Sequence, residues 1–576
     1  MSKLVDIQNL KISFQNDHTV FTAVHNSSFS IEKSEIVAIV GESGSGKSVS
    51  SLAMMGLLPK KTLLEGSILY YEEGKPCDLL KINQNHNNHF RGKKIAMIFQ
   101  EPMSSLNPVM RCGKQLLEAI RLHKSLATAQ EKPEVIRLFN AVELPDPERI
   151  FNAYPHELSG GQRQRVMIAM AIASEPELLI ADEPTTALDV TVQKNILHLL
   201  KKLQQVTGMS ILFITHDLGV VAELADRVLV MHKGSIVEQG NTKEIFSAAK
   251  HPYTKGLLAC RPPLEKNYKK LAAVSDFLSL DAKGNFVEQE LSENWEDSLL
   301  WKADEQKLHR ENIYSNEALL EVKNLHTSFV SKSGFFNQNK KEVRAVDNVS
   351  FSLFPGETLG LVGESGCGKS TLGRTILRLI EQKSGEIIYK GKDISKLSKD
   401  AMKSLRSELQ IIFQDPYASL NPRMTVGQCL VEAMENHQVL KNTDERKKRA
   451  YELLEQVGLS TSHYDHFPHE FSGGQRQRVG IARAIATNPK FIICDESVSA
   501  LDVSVQAQVL NLLNELKERY QLSYLFISHD MSVVKFMSDR MIVMNKGKIE
   551  ESGTPEAIFS NPSSAYTKKL IAAIPS

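Results

Sequence analysis

Two glycine-rich segments of eight residues carry the side chains best suited to chemistry in this 576-residue sequence. Residues 41–48 have the sequence GESGSGKS, residues 363–370 have the sequence GESGCGKS, and a short apolar run precedes each. Glycines let backbone N–H groups turn inward around phosphate oxygens, the lysine can reach the β- and γ-phosphates, and the last serine can hold Mg²⁺. The predicted nucleotide-binding residues of these two phosphate loops are Gly41, Glu42, Ser43, Gly44, Ser45, Gly46, Lys47, Ser48, Gly363, Glu364, Ser365, Gly366, Cys367, Gly368, Lys369 and Ser370.

Two acidic pairs end apolar runs further along the chain. Asp182-Glu183 follows the run at residues 178–181, and Asp495-Glu496 follows the run at residues 491–494. A carboxylate at the carboxyl end of a buried strand suits Mg²⁺, held directly or through water, and the next carboxylate can polarise an attacking water. An apolar strand ending in Asp-Glu is a weak signal alone, but its place after a phosphate loop predicts a hydrolytic site.

A third motif, Ser-Gly-Gly-Gln, precedes each acidic pair. Glycines at the start of a helix leave backbone N–H groups available to bind an anion. One copy alone would suit a flexible glycine loop, whereas two copies at matching positions predict further binding residues. These residues are Ser159, Gly160, Gly161, Gln162, Ser472, Gly473, Gly474 and Gln475.

The motifs recur because the chain contains one domain twice. The two Ser-Gly-Gly-Gln motifs differ by 313 in residue number, and so do the acidic pairs that follow them. The two phosphate loops differ by 322, which predicts extra residues in the first copy, around residues 83–88. A period above 300 residues is too long for a solenoid repeat and indicates a duplicated domain.

Within each copy, short apolar runs alternate with helical segments. Residues 35–40, 178–181 and 211–214 are bounded by turn residues, as buried strands are. This alternation predicts an α/β fold with a mostly parallel sheet and flanking helices in each domain. We place the domains at residues 1–262 and 317–576, with a linker at residues 263–316 that holds one or two short helices and a turn at Gly284-Asn285.

Composition limits the partners and the compartment. The 69 basic and 68 acidic residues give a formal net charge of +1, which argues against a bulk nucleic-acid binder. The sequence holds no apolar stretch of 18 residues and no signal-peptide core, so we expect a soluble, cytoplasmic chain that works at a membrane by docking onto another protein. The six cysteines form no Cys-x-x-Cys pair, so zinc and redox motifs are unsupported.

Together the motifs resemble those of the ATP-binding-cassette (ABC) ATPases over nearly all of the chain outside the linker. The resemblance implies ATP and Mg²⁺ as cofactors and a P-loop NTPase core with an antiparallel and a helical subdomain. The implied catalytic residues are Glu183, Glu496, His216 and His529. The implied Mg²⁺ ligands are Ser48, Gln100, Asp182, Ser370, Gln414 and Asp495. Further implied nucleotide contacts are the D-loop residues Asp189 and Asp502 and the adenine-stacking aromatics Phe14 and Phe329.

The resemblance also implies a mechanism. Paired head to tail, the two cassettes would hold one ATP between Lys47 and the signature motif at Ser472, and the other between Lys369 and the signature at Ser159. ATP would close the pair, hydrolysis would reopen it, and the motion would pass to a membrane partner. Both sites keep the full motif set, so two hydrolytic sites are expected.

The segments that flank these motifs resemble those of the ATPases of bacterial oligopeptide, dipeptide and nickel importers. Some peptide and glutathione importers of this group carry both cassettes on one chain. Ser-Leu-Asn-Pro occurs at residues 105–108 and 419–422, and His-Pro-Tyr-Thr at residues 251–254. The resemblance implies two integral membrane permeases and an extracytoplasmic solute-binding protein as partners, no nucleic acid, and a peripheral location on the cytoplasmic face of the inner membrane. Only Cys260 lies where some relatives carry an iron–sulfur cysteine cluster, so no cluster is expected.

Two alternatives stay open at this point. One is a soluble tandem ABC ATPase that acts in translation or in DNA repair, although the mixed linker and the lack of zinc cysteines disfavour it. The other is an exporter, although exporters commonly fuse their cassettes to transmembrane helices. The solute is also open among peptides, glutathione, peptide antibiotics, nickel and opines, because specificity resides in the permease and the binding protein.

Overall fold

The computed structural model describes most of the chain, namely residues 2–15, 19–82, 89–100, 105–186, 188–280, 286–289, 291–292, 294–333 and 339–574. Two predicted features, the extra residues around 83–88 and the Gly284-Asn285 turn, lie outside these ranges. Within the described ranges, no helix is both long enough and apolar enough to cross a membrane. All six cysteines are described and are free thiols.

In the described residues of the first cassette, ten strands form two sheets. They are β1 (Lys3–Gln15), β2 (Val20–Glu32), β3 (Ile36–Val40), β4 (Thr62–Glu72), β5 (Lys75–Asp78), β6 (Ile95–Ile98), β7 (Leu178–Asp182), β8 (Ser210–Thr215), β9 (Arg227–His232) and β10 (Ser235–Asn241). The larger sheet has the order β10-β9-β3-β8-β7-β6 and is parallel except at β10, whereas β2-β1-β4-β5 is antiparallel. The predicted mostly parallel sheet and antiparallel subdomain are confirmed.

The linker contains a short hairpin, β11 (Leu278–Leu280) and β12 (Phe286–Glu288). The second cassette repeats the two sheets of the first. Its strands are β13 (Leu320–Ser333), β14 (Asn339–Leu353), β15 (Thr358–Val362), β16 (Ser384–Tyr389), β17 (Lys392–Asp393), β18 (Leu409–Ile412), β19 (Phe491–Asp495), β20 (Ser523–Ser528), β21 (Arg540–Asn545) and β22 (Lys548–Gly553). The orders β18-β19-β20-β15-β21-β22 and β14-β13-β16-β17 mirror those of the first cassette.

Helices cover the parallel sheets. In the first cassette they are α1 (Lys47–Met54), α2 (Cys112–His123), α3 (Thr128–Ala141), α4 (Pro147–Asn152), α5 (Gly160–Ile172), α6 (Val190–Thr207), α7 (Leu218–Leu224), α8 (Thr242–Ala248) and α9 (Pro252–Ala259). The linker helices are α10 (Val274–Phe277) and α11 (Ala303–Tyr314). The second cassette has α12 (Lys369–Ile376), α13 (Lys399–Leu405), α14 (Pro416–Ser419), α15 (Val426–Asn436), α16 (Thr443–Gln456), α17 (Gly473–Ile485), α18 (Val503–Tyr520), α19 (Met531–Met537), α20 (Pro555–Ser560) and α21 (Ala565–Ala572).

The central strands explain where a site must lie. Every residue of β3, β7 and β8 is buried, because helices cover one face of the sheet, and the antiparallel sheet and α1 cover the other. Parallel strands bring their carboxyl ends to one edge of the sheet. The first phosphate loop, the first acidic pair and His216 each follow one of these strands, so the fold gathers them at that edge.

The linker packs against the second cassette. The Leu271 N–H donates to Asn511 Oδ1 at 2.9 Å, and Asn511 Nδ2 donates back to the Leu271 carbonyl at 2.8 Å. His309 lies 3.0 Å from Asp539, and Arg310 pairs with Glu556 at 2.8 Å. The linker therefore forms specific polar contacts with α18 and its neighbours, in addition to the short helices expected from the sequence.

Candidate active sites

The first phosphate loop is folded so that only glycine fits at its start. Gly41 has φ 153°, and a Cβ there would lie 2.0 Å from the Met231 carbonyl oxygen. The buried Lys47 amine donates to the carbonyls of Gly41 at 2.7 Å and Glu42 at 2.9 Å. Burial lowers the pKa of Lys47, against the opposing charges of nearby carboxylates. The Lys47 amine therefore lies at the N-terminus of α1, where a phosphate group would bind.

The second phosphate loop has the same geometry. A Cβ on Gly363 would lie 2.2 Å from the Met544 carbonyl oxygen. The Lys369 amine donates to the carbonyls of Gly363 at 2.7 Å and Glu364 at 3.0 Å. The two loops therefore repeat as structures as well as sequences.

A serine and an aspartate meet beside each loop. The Ser48 hydroxyl donates to Asp182 at 2.9 Å, and the Ser370 hydroxyl donates to Asp495 at 2.6 Å. Burial raises the pKa of Asp182 to about 6 and raises the pKa of Asp495 as well. Hydroxyl and carboxylate oxygens are the hard ligands that Mg²⁺ prefers, and a cation would relieve the cost of burying each carboxylate. The donor set fits the predicted metal.

Glu183 lies at the centre of the first site. Its carboxylate accepts hydrogen bonds from Gln100 Nε2 at 2.8 Å and Thr186 Oγ1 at 2.9 Å, and His216 Nδ1 lies 3.3 Å away. Burial opposes its charge, but His216, Thr186 and Lys47 together outweigh burial and lower the pKa of Glu183 to about 2. Burial also opposes charge on His216, yet Glu183 raises the pKa of that histidine.

Glu496 has the corresponding place in the second site. Its carboxylate accepts from Gln414 Nε2 at 2.8 Å and lies 3.5 Å from His529 Nδ1. Burial opposes its charge, but the hydrogen bond and charge of His529, together with the charge of Lys369, lower the pKa of Glu496. The third partner differs, because Ser499 donates to the main-chain carbonyl of Glu496, whereas Thr186 reaches the carboxylate of Glu183.

Both glutamates have an unusual backbone. Glu183 has φ 46° and Glu496 has φ 48°, in the left-handed region that side chains with a Cβ rarely adopt. Each N–H still donates at 2.9 Å to the neighbouring strand, to Ile214 and Ile527 respectively. Strain of this kind costs about 1–3 kcal/mol and persists where the surroundings hold it. Its recurrence at the same position in both cassettes points to a functional demand on the carboxylate direction.

The Ser-Gly-Gly-Gln motifs begin helices α5 and α17. The Gln162 N–H donates to Ser159 Oγ at 3.3 Å, and the Ser159 N–H donates to Gln162 Oε1 at 3.1 Å. Ser472 and Gln475 form the same capping box at 3.3 and 3.0 Å. The boxes fix the direction of each helix N-terminus, the part that would face an anion.

The cassettes meet through the segments predicted as D-loops. Asp502 of the second cassette accepts a hydrogen bond from the Ser43 N–H of the first phosphate loop at 2.8 Å. Ser504 donates to Glu42 Oε1 at 2.6 Å. Asp189 instead caps its own helix through the Val192 N–H at 2.9 Å. The same motif therefore makes different contacts in the two halves.

A cavity at the second phosphate loop is lined by both cassettes. Its second-cassette lining includes Lys369, Glu496 and His529, and its described first-cassette lining consists of Thr186 and Asp189. The residues of the first Ser-Gly-Gly-Gln motif, which are described, do not line this cavity. The structure thus brings the D-loop, but not the signature motif, into the cavity beside the opposite phosphate loop.

The two aromatic candidates differ in exposure. Phe14 is partly buried against the core of the antiparallel sheet, whereas Phe329 is 46% exposed. An exposed aromatic face is available for stacking and a core-packed one is less so. Adenine stacking at Phe14 and Phe329 stays a prediction.

Several site residues were not predicted from the sequence. Thr186 and Ser504 are ordinary hydroxyl residues next to motifs, and nothing in their local sequence singles them out. Tyr253 and Tyr566 accept hydrogen bonds from phosphate-loop N–H groups. Their repeated Tyr-Thr pair was a visible signal, but it gave no indication of a contact with the phosphate loops.

The sequence model of the family described as "ABC transporter" matches residues 24–186 and 346–499, and that described as "Oligopeptide/dipeptide transporter, C-terminal region" matches residues 237–279 and 551–576. The chain is similar to "Glutathione import ATP-binding protein GsiA" of Escherichia coli and of Shigella boydii, each 48% identical over 572 residues, which cover 99% of this chain and 89% of the relative. Among solved structures, a dimeric ATP-binding cassette in a post-hydrolysis state bound to ADP and Pi aligns at 29% identity and a TM-score of 0.37, over 41% of this chain and 98% of that chain.

Proposed function

Because this chain belongs to the ABC transporter family of ATP-binding proteins, we propose that its two cassettes hydrolyse ATP-Mg²⁺ at head-to-tail sites to import peptides or peptide-like solutes. The predictions of two fused ABC cassettes, of ATP use and of an import ATPase are confirmed by the family matches. The match to the oligopeptide/dipeptide transporter region supports an importer and not the soluble translation or DNA-repair alternative.

One observation carries the head-to-tail arrangement. Asp502 and Ser504 of the second cassette bond to Ser43 and Glu42 of the first phosphate loop, while Asp189 of the first cassette lines the cavity at the second loop. Each phosphate loop thus lies beside the other cassette. An ATP bound at either loop would be near both halves of the chain, so binding and hydrolysis can change how the halves pack.

At each site the proposed chemistry is an attack of water on the γ-phosphate. The Glu183 carboxylate is ionised at neutral pH, because its pKa is about 2, so it can orient and polarise the water. It already accepts bonds from Gln100 and Thr186 and lies beside His216. Gln100 and Thr186 both bond to Oε2, so Oε1, which faces His216, keeps acceptor capacity for the water.

Mg²⁺ would supply positive charge to the β- and γ-phosphate oxygens when bound. Ser48 and Asp182 are proposed to hold it in the first site, with the Gln100 amide as a third oxygen donor. Ser370, Asp495 and Gln414 are the corresponding groups of the second site. The lysine of each loop would leave its carbonyl partners to bind phosphate oxygens.

Membrane permeases are the partners of an importer ATP-binding subunit. We propose two of them, an extracytoplasmic solute-binding protein, and a peripheral location on the cytoplasmic face of the bacterial inner membrane. Exposed apolar side chains next to the glutamine motifs suit docking to a permease: Phe99 is 43% exposed and Val109 81% in the first cassette, and Tyr417 is 47% exposed in the second.

A glutathione solute is favoured over nickel or an opine by the 48% identical relatives, which are named for glutathione import. The test measures uptake of three radiolabelled solutes, namely glutathione, an unrelated tripeptide and Ni²⁺, in cells from which this chain has been deleted. Returning the wild-type chain should restore uptake of glutathione or of the peptide. So should the control variant Glu177→Gln, which changes a carboxylate that pairs with Lys94. The double variant Glu183→Gln with Glu496→Gln should not restore uptake. Equal uptake with and without the chain would contradict the proposal.

A further inference from the structure

The segments after the last strand of each cassette, which contain α9 and α21, contact the phosphate loops through two tyrosines. Tyr253 lies in the first turn of α9, and Tyr566 lies in the first turn of α21. The Glu42 N–H donates to Tyr253 Oη at 3.2 Å, and the Glu364 N–H donates to Tyr566 Oη at 3.0 Å. We propose that these tyrosines are positioning residues that hold each phosphate loop in the conformation that binds ATP.

The bond acts on the peptide that also holds the loop lysine. In the first cassette, the Glu42 N–H that the tyrosine holds belongs to the same peptide group as the Gly41 carbonyl, which accepts the Lys47 amine at 2.7 Å. When Lys47 turns to a phosphate, the carbonyl loses that partner. The tyrosine bond does not depend on Lys47, so it can keep the peptide in place during the exchange. The second cassette repeats this arrangement with Gly363, Glu364, Lys369 and Tyr566.

Tyr253 is itself held rigidly. Its side chain is fully buried, and its ring lies 4.0 Å from the ring of His232, centroid to centroid. The turn before α9 is fixed because the Glu238 carboxylate accepts the N–H groups of Lys250 at 2.8 Å and His251 at 3.1 Å. A hydroxyl held this firmly can position a loop, since little of its freedom is left to lose.

The second cassette holds its tyrosine in the same way, with a different capping residue. The Glu551 carboxylate accepts the N–H groups of Ser563 at 2.8 Å and Ser564 at 3.2 Å. Ser564 Oγ then accepts the Tyr566 N–H at 3.2 Å, as His251 Nδ1 accepts the Tyr253 N–H at 3.1 Å. The capping residue differs between the copies while the tyrosine hydroxyl and its target are kept, so the contact is not a by-product of one local sequence.

A neutral hydroxyl is the right acceptor for this place. Burial raises the pKa of both Tyr253 and Tyr566, so each keeps its proton. A carboxylate could accept the same N–H but would add a negative charge beside a loop that binds phosphates. The hydroxyl gives the hydrogen bond without that repulsion.

The inference rests on the ATP sites proposed above, and its test separates the two. Binding of a slowly hydrolysed ATP analogue with Mg²⁺ is measured on the full chain by calorimetry. Lys369→Ala leaves the first loop as the reporting site, and Lys47→Ala leaves the second. Loss of one neutral hydrogen bond corresponds to about threefold to tenfold in affinity.

The expected result is a crossed pattern. Tyr253→Phe should weaken binding about threefold to tenfold in the Lys369→Ala background and leave it unchanged in the Lys47→Ala background, with Tyr566→Phe giving the reverse. Tyr524→Phe removes another buried hydroxyl, one that donates to the Leu513 carbonyl at 3.0 Å away from either loop. It should lower the thermal midpoint of the second cassette without changing affinity in either background.

Three results would overturn the inference. Unchanged affinity in both tyrosine variants would show that the hydroxyls do not position the loops. Equal losses in both backgrounds, or the same loss in Tyr524→Phe, would show a general structural effect. If Lys47→Ala combined with Lys369→Ala still bound the analogue, the proposed ATP sites themselves would be wrong.

Discussion

Replacing Glu183 and Glu496 by glutamine together should stop turnover and leave ATP binding intact. Gln can keep the shape of each side chain and still accept the hydrogen bonds that Gln100 and Gln414 donate at 2.8 Å, so the fold should survive. It cannot carry the charge that polarises water, and loss of such a group typically costs about 10²–10⁴-fold in rate. Phosphate release measures turnover, and calorimetric titration with ATP measures binding.

Single variants and a matched control sharpen this test. Both sites carry the full set of side chains, so Glu183→Gln or Glu496→Gln alone should leave at most the turnover of the other site. Glu177→Gln changes a carboxylate at the opposite end of strand β7, where it pairs with Lys94 at 2.5 Å, and should hydrolyse ATP normally. Steady-state hydrolysis by the double variant within a few-fold of wild type would refute the catalytic role of the two glutamates.

Two further predictions concern the junction of the linker and the second cassette. Asn511→Leu should lower the free energy of unfolding by about 1–3 kcal/mol in urea denaturation, because the buried N–H and carbonyl of Leu271 lose their partner. An unchanged free energy of unfolding would show that this linker contact does not stabilise the protein. Asp539→Asn should lower the free energy of unfolding by about 3 kcal/mol at pH 7. Burial opposes the charge of Asp539, but Lys517 and His309 outweigh burial and lower the pKa of this carboxyl. The ionised carboxylate therefore stabilises the fold fully above about pH 4, the pKa of an unfolded aspartate. This stabilisation is lost as the pH falls through the lower pKa of the folded state. The difference between variant and wild type should therefore shrink below about pH 4, and a constant difference would contradict this.

The fold was predictable because its signals are local. The strands at the first phosphate loop, the first acidic pair and His216 are short apolar runs bounded by turn residues, and the structure places β3, β7 and β8 there. Lys47 and Ser48 follow β3, and Asp182 ends β7, so the order of the parallel sheet is enough to bring them together. The duplication doubled each signal.

Contacts between distant segments were not predictable in the same way. Tyr253 is 211 residues from Glu42, and nothing in either local sequence encodes their meeting. Asp189 and Asp502 share a motif, yet one caps its own helix and the other bonds to the opposite cassette. Which partner such a side chain takes depends on how the two halves pack, and that is a property of the whole chain.

The linker falls between these cases. The part of the linker that the structure describes contains the α-helices α10 and α11, in agreement with the expectation of one or two helices. The hairpin β11–β12 was not predicted, because strands of three residues are too short to give a periodic signal. The boundaries at residues 262 and 316 stay predictions, since the linker packs onto the second cassette.

Isolation of the tagged chain from gently solubilised native membranes tests the central claim most directly. Two different polytopic membrane proteins should co-purify with it, each in a one-to-one ratio to the chain, because one fused pair of cassettes supplies both ATP sites. The complex should also hydrolyse ATP, and Glu183→Gln with Glu496→Gln should purify with the same partners but without turnover. Recovery with ribosomal proteins or nucleic acid in the soluble fraction, and with no membrane protein, would contradict the importer assignment.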